Sequence, residues 1–364
     1  MKLDKGFLEE YINAASPSGY EMQLGGQKVW MKYVSQYAHR MEVDEYGNAY
    51  AFYGSRWLNE EGDVSQRRKD KTVLLDAHAD KIGFFVFDIT DKGFLKIGTL
   101  GGSDITIAPS SRVNIWGDDG AVTGVFGHPA IHVHKRDFES KLEDTFVDIG
   151  VSTRKAVEKK GIVVGTPITM VDGYMDLGKF YCGRSLDDKV GGFITSQVLK
   201  KLWENNIQLP FELVIVNSVQ EEVGLYGAQM AAQKVKPDVA IAIDVCHDTD
   251  SPAYDKKLEG SFSAGKGIVI MTAPALHKNL VEMMVSTAKE NDIPFQRAAS
   301  GWESGTNADA YAYPLGIPSA LVSLPMRYMH TTVETVHKKD VKTSVKLLYK
   351  ILQNPRIVQS FKYE

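Results

Sequence analysis

The amino-acid sequence predicts an α/β protein in which a mixed sheet flanked by helices is interrupted by a small inserted β-barrel. Helix-period segments alternate with apolar strands in the C-terminal half, which is typical of a sheet with helical cover. Between about 89 and 177, short apolar runs are separated by glycines instead, which is typical of a small barrel. These two textures together predict one α/β domain with a β-rich insertion.

The individual elements follow from the same periodicities. Residues 5–40 form two amphipathic segments interrupted at "SPSGYE", residues 187–205 carry a helical period, and 338–353 form the last helix. An apolar strand, "TVLLDA", runs directly into "HAD". The stretch 55–71 is almost entirely polar and is predicted to be an exposed loop. Further strands are predicted at 211–219, 239–245, 268–273 and 317–324.

Composition excludes several classes of function. With 364 residues, the chain is long for one compact core, which favours two domains or an insertion. A net charge of −4 gives no electrostatic reason to expect nucleic acid as a partner. Cys182 and Cys246 cannot form a disulfide framework, which fits a reduced cytosolic setting. The N-terminus lacks the apolar core of a signal peptide, and no apolar stretch is long enough to span a bilayer. A cytoplasmic protein without a membrane partner is therefore expected.

Metal-capable side chains stand just beyond the carboxyl ends of several predicted strands. In open α/β sheets the ligand crevice lies at that edge, so these side chains are placed to converge there. They are His78 and Asp80 after "TVLLDA", Glu221 and Glu222 after "FELVIVNSV", Asp244 at the end of "VAIAID", His330 after "SALVSLP", and Asp187 at a helix start in "GRSLDDKVGG".

Each of these residues also has a purely structural explanation. Ser185 with Asp188 matches a capping box, so either Asp187 or Asp188 taken alone is more often a helix cap. A single His after a strand is more often structural, and adjacent acids such as Glu221 and Glu222 more often form a solvated pair. As a set, however, two imidazoles and several carboxylates are the ligand types that zinc-like cations prefer. The set suits two ions that share one carboxylate, with one further acid left for proton transfer.

Five motifs occur in the order and character of a known enzyme family. They are "DAHADKIGFFV", "GRSLDDKVGG", "VQEEVGLYGA", "AIDVCHD" and "PMRYMHTTVE". Through them the chain resembles the dinuclear-metal aminopeptidases that assemble into tetrahedral (TET-type) particles. That family includes glutamyl and deblocking aminopeptidases, and its members are often labelled endoglucanase-like. The resemblance extends into the insertion and implies a metal-dependent aminopeptidase that hydrolyses N-terminal residues from short peptides.

The resemblance also implies a role for each candidate residue. Asp187 would bridge the two ions, and Asp80 would hold the imidazole of His78. Glu221 would be the general base, taking a proton from a metal-bridging water and passing it to the leaving amine. The two divalent ions per subunit would be zinc or cobalt. Their implied ligands are His78, Asp187, Glu222, Asp244 and His330.

Domain boundaries and assembly are implied in the same way. Residues 1–88 and 178–364 would form a zinc-peptidase-like catalytic domain, and residues 89–177 an oligomerisation domain. Twelve subunits would enclose an inner chamber as a homo-oligomer. The chain departs from its relatives at Lys81, where they commonly carry Glu, and at Asn307, where many carry Asp.

Several further possibilities stay open. His132 and His134 are predicted to lie on one face of a strand, a spacing that can bind metal, although structural or interface use is favoured. Arg327 stands close to His330, where it would pair either with an acidic substrate side chain or with an internal acid. Two other functions are a glucan hydrolase, for which paired carboxylates would suffice, and a non-catalytic assembly protein that keeps the fold.

Overall fold

The computed structural model describes residues 3–54, 71–133, 141–171, 173–252 and 254–363. The helices in this part of the chain are α1 (Lys5–Asn13), α2 (Gly26–Val34), α3 (Arg154–Glu158), α4 (Leu186–Glu204), α5 (Tyr226–Val235), α6 (Lys256–Glu259), α7 (Lys278–Glu290), α8 (Asn307–Leu315) and α9 (Lys338–Leu352). The predicted helices at both ends of the chain and at 187–205 are therefore present.

The strands fall into two sets, one for a large sheet and one for a barrel. Those of the sheet are β1 (Arg40–Val43), β2 (Ala49–Tyr53), β3 (Thr72–His78), β10 (Met175–Leu177), β11 (Phe180–Cys182), β12 (Glu212–Ser218), β13 (Val239–His247), β14 (Ile268–Thr272), β15 (Phe295–Ala299), β16 (Ser319–Arg327) and β17 (Thr335–His337). Those of the barrel are β4 (Gly83–Ile89), β5 (Leu95–Leu100), β6 (Arg112–Gly117), β7 (Gly120–Phe126), β8 (Phe146–Asp148) and β9 (Pro167–Met170).

The large sheet is mixed and has a parallel centre. Its order is β1-β2-β12-β3-β13-β16-β17-β11-β10, and β14 pairs with β15 and β16. The neighbours β12, β3, β13 and β16 run parallel, and His78 lies in register with Ser218. The carboxyl ends of these central strands therefore meet at one edge, which is the usual position of the ligand crevice.

Helices cover both faces of the sheet. On β3, Val73 and Leu75 face the main core formed with helices such as α4 and α9, whereas Leu74 faces α5 and α8. Because both faces are buried, the central strands read as continuous apolar runs rather than as an alternation. This explains why the strands were visible in the sequence.

The inserted β-rich segment is a closed barrel with its own core. Its strands follow the order β4-β5-β8-β7-β6-β9, and side chains such as Phe84, Val113 and Ile115 fill the interior. The predicted α/β fold with an inserted barrel is thereby confirmed. The barrel strands begin at Gly83, before the predicted boundary at residue 89, while β10 of the predicted insertion pairs within the large sheet.

No helix in the described ranges is long and apolar enough to cross a membrane. The polar stretch at 55–71, apart from its last residue, lies outside the described residues.

Candidate metal centre

The predicted site residues converge at the carboxyl edge of the central strands. His78 is the last residue of β3, Glu221 and Glu222 follow the end of β12, and His330 follows β16. Asp244 lies inside β13, which continues to His247, and not at its end as the sequence suggested. The edge therefore gathers side chains from four neighbouring strands.

Asp187 lies between the two imidazoles. Its Oδ1 is 3.2 Å from Nε2 of His78, and its Oδ2 is 3.3 Å from Nε2 of His330. The same His330 nitrogen lies 3.5 Å from Oε2 of Glu222. Each carboxylate oxygen of Asp187 thus faces a different histidine, which is the arrangement needed for a shared ligand.

Two groups of three metal-capable side chains occur among the described residues. Within each group the ligand atoms lie within 4.8 Å of one another. The first group contains His78, Asp187 and Glu222, and the second contains His78, Asp188 and Asp244. Glu221 belongs to neither group, although its Oε2 is 4.0 Å from Nε2 of His78. The two adjacent glutamates therefore differ in their surroundings.

In the second group, Asp188 accompanies His78 and Asp244, whereas the resemblance implied Asp187 as their partner. The Asp187–Asp188 peptide is cis, and both residues have non-helical backbone angles within α4. Asp188 is buried, and its Oδ1 accepts a hydrogen bond from the backbone N–H of Gly191 at 3.1 Å. Its Oδ2 has no hydrogen-bond partner in the described part of the chain. The predicted capping box is absent, since the side chain of Ser185 makes no cap hydrogen bond.

Asp80 connects the histidine to the paired glutamates. Its carboxylate accepts hydrogen bonds from the backbone N–H groups of Glu221, at 2.9 Å, and Glu222, at 3.2 Å. Its Oδ1 also lies 3.4 Å from Nδ1 of His78, and its backbone carbonyl lies 3.1 Å from the same nitrogen. Asp80 is thus placed to orient His78 and the turn that carries both glutamates.

The acids of the site are buried together. Burial raises the pKa of Glu221 and of Glu222 well above the usual value, and neighbouring carboxylates add to the effect. Burial likewise raises the pKa of Asp244 to about 7. Burial also opposes ionisation of Asp187, but hydrogen bonds from two imidazoles hold its pKa below the usual value. Buried carboxylates at this density favour a site that receives positive charge.

Two contributors to the site were missed by the sequence analysis. Glu334 accepts hydrogen bonds from the backbone N–H groups of Asp187 and His330, both at 3.1 Å. Gly102, in the loop after the barrel strand β5, approaches so closely that a Cβ there would lie 3.0 Å from Nδ1 of His330. Glu334 is the last residue of the motif "PMRYMHTTVE", and Gly102 lies in the predicted insertion, but no local pattern distinguishes either residue.

Comparison with known proteins now identifies the family. The family model described as M42 glutamyl aminopeptidase matches residues 62–347. The chain belongs to this family. It is 28% identical over 358 residues to the lysyl aminopeptidase of Pyrococcus furiosus. The matched region covers 96% of this chain and 97% of the relative.

Solved structures show the same relationship. A TET aminopeptidase from a marine sediment archaeon of the Thaumarchaeota has 25% identity and a TM-score of 0.87 over 98% of each chain. The TET1 peptidase of Pyrococcus horikoshii, described as assembling into a tetrahedron or a large octahedral shell, has 27% identity and a TM-score of 0.82 over 96% of this chain and 98% of its own. The resemblance stated from five motifs is confirmed, and the M42 family supports peptide hydrolysis as the reaction class.

A cavity of about 940 Å³ opens onto the metal-capable residues of this M42 chain. The described lining residues include the cations Lys257 and Arg297 and the apolar side chains of Phe262, Met271 and Met329. The cavity therefore joins the acidic centre to a wall that is partly apolar and partly cationic.

Arg327 does not take part in that wall. Its Nε donates to Oδ2 of the buried Asp248 at 2.7 Å, and its guanidinium lies 4.8 Å from the ring centre of Phe180. Of the two roles open for Arg327, the structure supports the internal salt bridge.

Lys81 and Asn307, the two positions at which the resemblance implied a departure, lie close to the centre but outside the cavity wall. Lys81 is buried, and burial, together with the charges of Lys189 and Arg184, lowers its pKa well below the usual value. Asn307 begins α8, and its Nδ2 donates to Oγ of Ser218 at 2.9 Å. Neither residue is placed among the described lining residues of the cavity.

His132 and His134 are the pair that the sequence analysis placed on one face of a strand. His132 lies in an exposed turn after β7 and not on the predicted strand, whereas His134 lies outside the described residues.

Proposed function

We propose that this M42 chain is a metal-dependent aminopeptidase that removes N-terminal residues from short peptides with the help of two divalent cations. The observation that carries the proposal is the placement of Asp187 between two imidazoles on the wall of a cavity of about 940 Å³. Asp187 faces both imidazoles, and a further carboxylate lies near each of them, Asp244 beside His78 and Glu222 beside His330.

The residues present fit two such cations. Imidazole nitrogens and carboxylate oxygens are the ligands that zinc and cobalt accept. His78 and Asp244 would hold one cation, Glu222 and His330 would hold the other, and Asp187 would bridge them. The raised pKa values of Glu222 and Asp244 supply a physical reason, because a bound cation offsets the cost of keeping these buried acids ionised.

Bound cations of this kind supply Lewis acidity toward the scissile carbonyl and lower the pKa of a shared water. Residues of the protein would carry the proton and hold the proton carrier in position. Glu221 would accept the proton of the attacking water on its carboxylate and deliver it to the leaving amine. Asp80 would keep Glu221 in place through the 2.9 Å hydrogen bond from the backbone N–H of Glu221.

Purified protein supplied with zinc or cobalt is expected to hydrolyse aminoacyl-p-nitroanilides and unblocked peptides. EDTA should abolish the activity, and elemental analysis by mass spectrometry should find about two ions per chain. A glucan hydrolase would instead cleave β-glucan whether or not EDTA is present, because its two carboxylates act without a metal. Peptide hydrolysis that persists in the fully chelated protein would contradict the proposal.

A homo-oligomer of twelve subunits is proposed as the working form. In support, the barrel exposes large apolar side chains such as Phe87, Val125, Val163 and Val164. One similar solved structure is described as a dodecamer, and another protein is described as assembling into a tetrahedron or a large octahedral shell. Light scattering should report a particle of about twelve times the 40.4-kDa chain mass. A stable monomer would contradict this assembly.

A further inference from the structure

The segment "SPSGYE" at 16–21 has a place in the structure that its sequence did not indicate. The sequence suggested only a break between two helices, and the segment does connect α1 to the region before α2. Its polar side chains Ser16, Ser18 and Glu21 are nevertheless all buried. Buried polar side chains normally make hydrogen bonds that offset the free-energy cost of removing them from water.

The backbone of this segment runs beside the residues that follow β3. The N–H of Ser18 donates to the carbonyl of Lys81 at 3.2 Å, and the N–H of Lys81 donates to the carbonyl of Ser16 at 3.0 Å. The segment is thereby fixed next to Asp80, independently of its side chains.

Ser18 contacts the carboxylate of Asp80 directly. Its Oγ donates to Oδ2 of Asp80 at 2.6 Å, the same oxygen that accepts the backbone N–H of Glu222. The other oxygen of Asp80 accepts the N–H of Glu221 and lies near His78. The hydroxyl of Ser18 therefore fixes a carboxylate on which the histidine and both glutamates depend for their positions.

Glu21 holds the same turn from its other end. Its Oε1 accepts hydrogen bonds from the backbone N–H groups of Gly19, at 3.0 Å, and Gln220, at 3.1 Å. Gln220 has a φ of 56°, a left-handed backbone conformation that residues other than glycine rarely adopt. A buried acceptor aimed at its N–H helps to stabilise that conformation directly before Glu221.

We propose that Ser18 and Glu21 are positioning residues of the metal centre, Ser18 acting through Asp80 and Glu21 through Gln220. The inference rests on the proposed function, because positioning matters only if the ligands and Glu221 have the roles given above. Groups that orient metal ligands from behind typically change metal affinity or activity by about 10–100-fold when they are removed.

The test compares Ser18→Ala with Ser16→Ala in the purified full-length protein. Ser16 is the matched control, since its Oγ is buried in the same segment and has no hydrogen-bond partner in the described part of the chain. Ser18→Ala should weaken zinc affinity, measured by competition with a chelating indicator, by about tenfold or more. At saturating zinc it should lower kcat with KM unchanged, while the melting temperature of the metal-free protein stays close to that of Ser16→Ala.

A second pair of variants separates positioning from packing. Glu21→Gln keeps an acceptor oxygen for Gln220 and should retain zinc affinity and kcat, whereas Glu21→Ala should lose both. If Ser18→Ala matches Ser16→Ala, and Glu21→Ala matches Glu21→Gln, the inference is overturned while the proposed function stands. If the wild-type protein itself binds neither zinc nor cobalt, the proposed function fails, so the two failures are distinguishable.

Discussion

Replacing Glu221 by glutamine is expected to lower kcat by about 10²–10⁴-fold without removing metal, since the loss of a general base typically has that effect. Glutamine keeps the size of the side chain but cannot accept a proton from water at neutral pH. The side chain of Glu221 lies at the cavity and belongs to neither group of metal-capable residues. Its backbone N–H remains available to Asp80, so the turn should keep its shape. Steady-state kinetics and metal analysis of the same preparation measure both effects.

Substitution of the neighbouring Glu222 is expected to have a different effect from substitution of Glu221. Glu222→Gln is expected to lose metal affinity, because Glu222 lies with His78 and Asp187 in one ligand group. Glu9→Gln, on an exposed position of α1, should change neither property. Full turnover by the Glu221 variant would refute its role as proton carrier. Equal metal loss in the Glu221 and Glu222 variants would show that the two acids do the same job.

The fold was predictable because its patterns are local. Strands buried on both faces produce apolar runs such as "FELVIV". The barrel is indicated by short apolar runs separated by frequent glycines. The barrel boundary was less visible. No turn-rich stretch separates β3 from β4, so Phe84 and Val86 resembled a continuation of the first domain although they fill the barrel. A domain boundary without turn residues leaves no compositional signal.

The site was predictable only in part, for a similar reason. Residues at strand ends could be located from the strands themselves, whereas Ser18 and Glu334 make contacts with partners 62 and 147 residues away. No periodicity reports such pairings. The capping box failed because Ser185 has a φ of 75°, which turns its side chain away from the cap geometry. The two roles of Arg327 could not be separated from the sequence, because proximity along the chain to His330 does not determine where a side chain points.

An N-terminal glutamyl residue is expected to be cleaved with a kcat/KM about tenfold higher than a glutaminyl residue of the same size. The cations Lys257 and Arg297 line the cavity, whereas its acids belong to the proposed metal centre. Arg297 is already paired with Glu282 at 2.7 Å and its side chain is 44% exposed, which limits its contribution. Half-exposed charge pairs are worth about 1 kcal/mol or less, so two cations together account for roughly one factor of ten. Kinetics on glutamyl, glutaminyl and lysyl substrates measure the preference.

Arg297→Ala and Lys257→Ala should each reduce the ratio of glutamyl to glutaminyl cleavage, and lysyl substrates should gain relative to both. Lys278→Ala is the matched control, because Lys278 also lies near Glu282 but is not placed on the cavity wall. Added salt should reduce the preference in the wild-type protein, since exposed charges are screened at high ionic strength. Equal kcat/KM for glutamyl and glutaminyl substrates at low salt would exclude these cations as specificity residues. In that case the apolar side chains of Phe262 and Met329 would be left to select the substrate, and a leucyl residue should then be cleaved faster than either.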